Sequence, residues 1–149
     1  MIIISPYAKK LQNGKENPKN YPYWQELIQK IPKSIHIVQI GITGETQLCE
    51  DFRQNLSMNE LKKLLNQCQT WIGIDSFFQH LAWSVNKKGI VLWSVSDPLI
   101  YGHPENINML KDRANLAPNQ TLWWDFIEHD SSKFVTSDEV INILNTLIS

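Results

Sequence analysis

Cysteine is scarce in this chain. Cys49 and Cys68 are the only two cysteines among 149 residues, and they are far apart and outside any CxxC pair. This excludes a disulfide framework and argues against a cysteine-ligated zinc site, because both need paired or regularly spaced cysteines. We therefore expect two free, buried or half-buried thiols in a reducing compartment.

An excess of charge is also lacking. The 14 Lys and Arg residues nearly balance the 15 Asp and Glu residues, giving a net charge of −1 at pH 7. A near-neutral chain offers no general attraction to nucleic acid or to an anionic membrane. We therefore expect neither as a partner.

Long hydrophobic runs are absent. No run approaches the roughly 20 apolar residues of a transmembrane helix. The first residues, "MIIISPYAKK", have too short an apolar run for a signal peptide and lack the basic region that precedes one. These features predict a cytoplasmic protein.

Several catalytic motifs are missing as well. The sequence has no Walker loop, no GxSxG elbow, no HExxH and no paired Cys/His set. We therefore expect no metal site. What the chain does have is an ordinary core composition, 42% hydrophobic, which suits one globular domain over residues 1–149.

Short apolar strands alternate with amphipathic helices along the chain. The predicted strands are 2–5, 35–41, 70–74 and 89–94, and the predicted helices are 20–31, 57–68, 76–86 and 136–149. Strands that are apolar throughout are typical of a sheet covered on both faces. The pattern predicts an α/β fold, a Rossmann-like parallel sheet with helices on both faces.

Three helices begin with the pattern of a capping box, a Ser or Thr followed three residues later by Glu or Gln. The pairs are Ser57 and Glu60, Ser76 and Gln79, and Thr136 and Glu139. Asp97 before Pro98 is typical of a turn.

Ligands of parallel α/β sheets bind beyond the carboxyl ends of the strands, so the segments after the strands are the candidate sites. After the first strand, Ser5 offers a hydroxyl group and Lys15 or Lys19 a positive charge for phosphate, although this stretch taken alone favours a plain surface loop with solvated lysines. After the second, "GITGETQ" (41–47) permits close backbone approach, and Glu45 could accept hydrogen bonds from ribose. A plain turn is the alternative there.

The third strand ends in "WIGIDSFFQHLAW" (71–83), where a helix follows at once. A helix N-terminus suits phosphate, and His80 could add a donor toward the same anion. Asp75 suits an anionic ligand only if it orients loop amides or accepts from a sugar hydroxyl. The alternative is an ordinary capped helix that carries a core or surface histidine.

Six tryptophans are many for this length. Those inside periodic segments, Trp24, Trp71, Trp83 and Trp93, are expected in the core. Trp123 and Trp124 follow a Pro/Asn loop and could instead cover an exposed surface or contact a partner.

The segment "GIDSFFQHLAWSV" resembles the G-x-D-S-G-x-x-H-L-A signature of glycosyltransferase family 9, the heptosyltransferase family. Further segments resemble the family in the same order, over roughly residues 2–110. They are "NPKNYPYWQELI", "VQIGITGE", "NLSMNELKKLL" and "VLWSVSDPLIYGHPENI".

The resemblance implies half of a GT-B fold, in which two Rossmann-like domains enclose the active site. This chain resembles the C-terminal domain, which binds the nucleotide-diphosphate sugar, and family analogy suggests an ADP-linked sugar. The implied donor site comprises Ser5 and Lys19 at the diphosphate, Glu45 at the ribose, Met58 near the base, and Asp75, Ser76, Phe77 and His80 around the phosphates and the sugar. The family needs no metal ion and no other cofactor.

Two departures from the family pattern bear on function. Phe77 stands where the family has glycine, and the acceptor domain, which supplies the catalytic base, has no counterpart in residues 1–149. The catalytic residue is therefore unassigned, and a separate N-domain polypeptide or self-association would complete an enzyme. The alternatives are a non-catalytic nucleotide or nucleotide-sugar binding module, or a remnant fold used for protein interaction.

Overall fold

The computed structural model describes residues 1–121 and 123–149, and its centre is a parallel six-stranded sheet. The strands are β1 (Ile2–Ser5), β2 (Ile37–Gly41), β3 (Asp51–Gln54), β4 (Thr70–Ile74), β5 (Ile90–Trp93) and β6 (Ile107–Leu110). Their spatial order is β3-β2-β1-β4-β5-β6. This is the strand order of a Rossmann fold.

Helices cover both faces of this sheet. They are α1 (Trp24–Lys30), α2 (Met58–Gln67), α3 (Phe77–Ser84), α4 (Pro98–Tyr101) and α5 (Ser137–Ile148). Side chains alternate across a strand, so Ile2 and Ile4 of β1 belong to one buried cluster with α1 and α5. Ile3 belongs to the opposite cluster with α2 and α3. The predicted fold class is confirmed.

The four predicted strands and four predicted helices all occur, with ends shifted by a few residues. The helix predicted from residue 20 begins only at Trp24. Strands β3 and β6 and helix α4 were not predicted from the sequence. Asp97, which was expected in a turn, accepts a hydrogen bond from the Leu99 N–H and caps α4, with Pro98 as the first helical residue.

Two of the three predicted capping boxes are confirmed. Ser57 caps α2 and Thr136 caps α5, each with the reciprocal bond from its glutamate partner. The third prediction, on Ser76 and Gln79, is wrong, because the Ser76 side chain makes no capping hydrogen bond.

The cysteines are as expected. Cys49 is half-buried, Cys68 is buried, and both are free thiols. Burial raises the pKa of each thiol, which keeps both in the neutral form. None of the helices described is long and apolar enough to cross a membrane.

Candidate functional site

The strand order reverses between β1 and β4, the two central strands. The connections from these strands lead to opposite sides of the sheet, which leaves a crevice at their carboxyl ends. A cleft of about 530 Å³ lies there, and we call it the switch-point cleft. Six of the eight predicted site residues line it: Ser5, Lys19, Glu45, Asp75, Ser76 and Phe77. The other two, Met58 and His80, do not.

Helix α3 begins at this cleft without a side-chain cap. Ser76 has the extended backbone of an N-cap residue, but its hydroxyl makes no capping bond and has no hydrogen-bond partner among the described residues. The Gln79 amide turns instead to Asp75, donating from Nε2 to Oδ1 over 2.8 Å. The predicted capping box is wrong because the buried Asp75 carboxylate competes for Gln79. The first backbone N–H groups of α3 therefore face the cleft, and no capping side chain accepts a hydrogen bond from them.

Asp75 forms a nearly buried ion pair with Lys19. The Lys19 ammonium lies 3.0 Å from Asp75 Oδ2, and the two side chains are only 15% and 8% exposed. Lys19 thus neutralises the Asp75 carboxylate, whose negative charge would otherwise repel an anionic ligand. The same ammonium lies 4.6 Å from the centroid of the Trp124 ring, within cation–π distance.

The loop before Lys19 is fixed to the sheet. Asn17 accepts a hydrogen bond from the Lys19 N–H through its side-chain oxygen, at 3.0 Å. Ser94, which directly follows β5, donates from its hydroxyl to the Pro18 carbonyl over 2.9 Å. These bonds hold Lys19 at the cleft, and neither was evident from the sequence.

Glu45 lies beside the end of β2. Its Oε1 accepts from the Ile42 N–H at 2.8 Å, so the carboxylate folds back over Gly41. Gly44 has φ of +95°, a conformation that glycine adopts without strain and that allows this tight turn. Burial raises the pKa of the Glu45 carboxyl, and the hydrogen bond from Ile42 partly opposes that rise.

Strand β3 brings two further polar residues to the cleft, Arg53 and Asn55. Arg53 donates from Nε to Asp51 Oδ1 at 3.0 Å, and Asn55 donates to the Thr43 hydroxyl at 2.8 Å. Asn55 has φ of +58°, in the left-handed region that asparagine tolerates. Because "DFRQ" is polar and short, its periodicity gave no strand signal, and both residues were missed.

Met58 and His80 lie outside the cleft lining. Met58, the first residue of α2, is 56% exposed. His80 Nδ1 lies 2.7 Å from His103 Nε2, and the Trp83 ring stacks on His103 with centroids 4.8 Å apart. Trp83 was expected in the core, yet it is about half exposed and packs on this histidine. Burial, and then His103, lower the pKa of His80, so its neutral form is favoured.

Metal ligands do not cluster in the described parts of the chain. Across residues 1–121 and 123–149, no three His, Cys, Asp or Glu side chains come together in a way that could hold a metal ion.

Known structures share this fold. The chain matches E. coli heptosyltransferase WaaC with ADP, at 16% identity and a TM-score of 0.69, over 98% of this chain and 44% of that one. It matches E. coli ADP-heptose LPS heptosyltransferase II at 18% identity and a TM-score of 0.69, over 99% and 46%. It also matches the dodecameric iron-containing heptosyltransferase TibC of enterotoxigenic E. coli, in complex with ADP-D-beta-D-heptose, at 19% identity and a TM-score of 0.69, over 98% and 45%.

The chain thus spans less than half the length of each of these proteins. No curated protein sequence matches it. The family model of glycosyltransferase family 9 (heptosyltransferase) matches residues 1–134, nearly the whole chain. The chain therefore belongs to glycosyltransferase family 9, the heptosyltransferase family.

Proposed function

We propose that residues 1–149 bind the diphosphate of a nucleotide-sugar donor in the switch-point cleft and act as the donor half of a glycosyltransferase. The observation that carries the proposal is the uncapped N-terminus of α3, which meets the cleft beside the Lys19 ammonium. Free N–H groups and the positive end of the helix dipole favour an anion at this point.

The other side chains of the cleft fit the same ligand. The hydroxyl groups of Ser5 and Ser76 can donate to phosphate oxygens, and Ser76 Oγ has no competing partner among the described residues. In a transfer reaction, these donors and Lys19 would stabilise the negative charge that develops on the departing nucleoside diphosphate. Met58 and His80 lie outside the lining, so we assign them no contact with the diphosphate.

We further propose that Glu45 contacts the ribose and that the base is adenine. The Glu45 carboxylate lies at the carboxyl end of β2 and can accept hydrogen bonds from ribose hydroxyls. Two of the matched structures contain ADP or ADP-heptose, which supports an adenine nucleotide as the ligand here.

Isothermal calorimetry with ADP, UDP and GDP tests the proposal. We expect one ADP per chain, with an affinity that falls as salt rises, because the diphosphate is held by charge. Lys15→Ala removes a lysine whose ion pair with Glu128 is exposed, and this control variant should bind ADP as the wild type does. Absence of binding for all three diphosphates would refute the proposal.

Gly41→Ala tests the assignment of Glu45 to the ribose. A methyl group on Gly41 would collide with Glu45 Oε1, and this flexible side chain would have to leave its place over the strand end. We expect ADP affinity to fall by about fivefold, roughly 1 kcal/mol, the size of one net hydrogen bond. Affinity for inorganic pyrophosphate, which has no ribose, should not change. An equal loss for both ligands would contradict the assignment.

A second function, nucleotide-sugar binding without transfer, is favoured by Phe77. This residue follows the N-cap of α3, lines the cleft and is 55% exposed, so its ring occupies space close to the free N–H groups. The two functions differ in donor turnover. Slow hydrolysis of ADP-glucose that requires Lys19 would favour the transferase, whereas binding without hydrolysis would favour the module.

We further propose that a separate acceptor-binding polypeptide or a second copy of this chain covers the carboxyl edge of the sheet. Exposed apolar side chains gather there: Ile42 follows β2, Phe77 follows β4, and Leu99 and Ile100 follow β5. A partner that buries them would remove apolar surface from water. Light scattering of the purified chain tests self-association, which Leu99→Ser with Ile100→Ser should then abolish. A monomer at all concentrations would exclude a second copy as the occupant of this edge.

A further inference from the structure

Arg53 lines the switch-point cleft, but the proposed donor site gives it no role. It lies in β3, the edge strand beside β2, and two of its nitrogens donate to one carboxylate. Nε donates to Asp51 Oδ1 and Nη2 donates to Asp51 Oδ2, each at 3.0 Å. Asp51 Oδ2 also lies 2.7 Å from His36 Nε2. The guanidinium is therefore held along one edge by Asp51.

The Asp51 carboxylate fixes the orientation of the Arg53 guanidinium. Two parallel hydrogen bonds between a guanidinium and a carboxylate hold both groups in one plane. The hydrogen bonds from Arg53, and to a smaller extent the contact with His36, lower the pKa of the Asp51 carboxyl, so it stays charged at neutral pH. Since the Arg53 side chain is 43% exposed, its guanidinium is accessible to a ligand in the cleft.

Apolar side chains line the cleft near Arg53. Leu56 comes shortly after β3, and Ile40 and Ile42 lie at the end of β2, where Ile40 is the register partner of Arg53. A nucleobase is flat, with apolar faces and a polar rim, and it stacks on Arg guanidinium planes as well as on aromatic rings. A planar cation beside apolar side chains therefore suits a nucleobase at this end of the cleft.

The order of the candidate groups along the sheet edge matches the order of groups in a nucleoside diphosphate. The uncapped start of α3 follows β4, Glu45 follows β2, and Arg53 lies in β3. The strands run β3-β2-β1-β4 across this half of the sheet, so β2, with Glu45 after it, comes between the other two. A diphosphate at α3 and a ribose at Glu45 therefore place the base toward β3.

We propose that the base of the nucleotide stacks on the Arg53 guanidinium and that Asp51 is the residue that positions it. The inference rests on the proposed function, and it adds what holds the base. Preorganisation supports it, because a guanidinium already fixed by Asp51 loses little side-chain entropy when the base binds.

Calorimetry with ADP and with ribose 5-diphosphate, which has a hydroxyl group in place of the base, tests the inference. Arg53→Ala should lower ADP affinity about fivefold, the size of a cation–π contact, and leave ribose 5-diphosphate affinity unchanged. Arg53→Lys should lose as much ADP affinity, because lysine keeps the charge but has no planar face. Arg113→Ala is the matched control, because Arg113 donates to both oxygens of Asp97 in the same way and is not part of the cleft lining. It should leave both affinities unchanged.

Asp51→Asn tests the positioning role. Asparagine offers one acceptor oxygen in place of two, so one of the two hydrogen bonds from Arg53 is lost. ADP affinity should fall by less than in Arg53→Ala, and ribose 5-diphosphate affinity should not change. When Asp51→Asn is added to Arg53→Ala, ADP affinity should fall no further, because a residue that acts only through Arg53 has no effect once Arg53 is absent. A further loss in the double variant would contradict the positioning role.

Three results would overturn the role of Arg53. They are unchanged ADP affinity in Arg53→Ala, an equal loss for both ligands in that variant, which would mean that Arg53 acts on the diphosphate by charge, and full ADP affinity in Arg53→Lys. A wild-type chain that binds ADP while its variants give any of these results refutes the role of Arg53 alone. A wild-type chain that binds neither ligand refutes the proposed function, and the inference falls with it.

Discussion

Replacing Lys19 with alanine is expected to lower the free energy of unfolding by about 3 kcal/mol and to remove most of the ADP affinity. The lysine is the ion-pair partner of Asp75, and both side chains are almost buried. Removing one member of such a pair leaves an uncompensated buried charge, which typically destabilises by 3–5 kcal/mol. For a chain of this size, the loss corresponds to a fall in Tm of about 6–12 °C, measurable by differential scanning calorimetry.

A double variant separates the structural role of Lys19 from its role in binding. Asp75→Asn added to Lys19→Ala removes the unpaired charge, and the asparagine Oδ1 can still accept from Gln79. We expect the double variant to regain most of the lost stability and none of the lost ADP affinity. If ADP affinity returned together with stability, Lys19 would serve the fold alone and the diphosphate assignment would be wrong.

Replacing Phe77 with glycine is expected to raise ADP affinity about tenfold, which equals roughly 1.4 kcal/mol. The Phe77 ring lines the cleft beside the uncapped start of α3, and truncation would let phosphate approach the N–H groups more closely. Since the side chain is more than half exposed, its loss should change stability little apart from the helix propensity of glycine, about 1 kcal/mol.

Phe77→Ala serves as the control for backbone flexibility, because alanine removes the ring without the freedom of glycine. Calorimetry should show a gain for both variants, since both open the same space. A fall in affinity for both would mean that the ring contacts the nucleotide. Phe77 would then be part of the binding site rather than an obstruction.

The central sheet was predictable because its strands are apolar along their whole length. Ile2, Ile3 and Ile4 can be buried on both faces only between two helical layers, so burial alone fixed the architecture. The edge strands β3 and β6 escaped prediction because each is only four residues long and neither is fully buried. β3 is polar, β6 is half-buried although three of its four residues are apolar, and backbone pairing to β2 and β5 defines both as strands.

The position of the cleft could be predicted from the sequence, but the contacts within it could not. The rule that ligands lie at strand ends brought together Ser5, Glu45 and Asp75, which all line the cleft. Contacts between distant segments could not be read from spacing, and these contacts decide the chemistry. The Ser76 and Gln79 pattern predicted a cap, whereas the actual partner of Gln79 is set by Asp75 and, through it, by Lys19.

A crystal structure of the chain with ADP tests the central claim most directly. We expect diphosphate oxygens within hydrogen-bond distance of the Phe77 or Phe78 N–H groups, with Lys19 Nζ on the same phosphates and the ribose beside Glu45. ADP bound elsewhere, or an α3 N-terminus without phosphate in crystals saturated with ADP, would contradict the account.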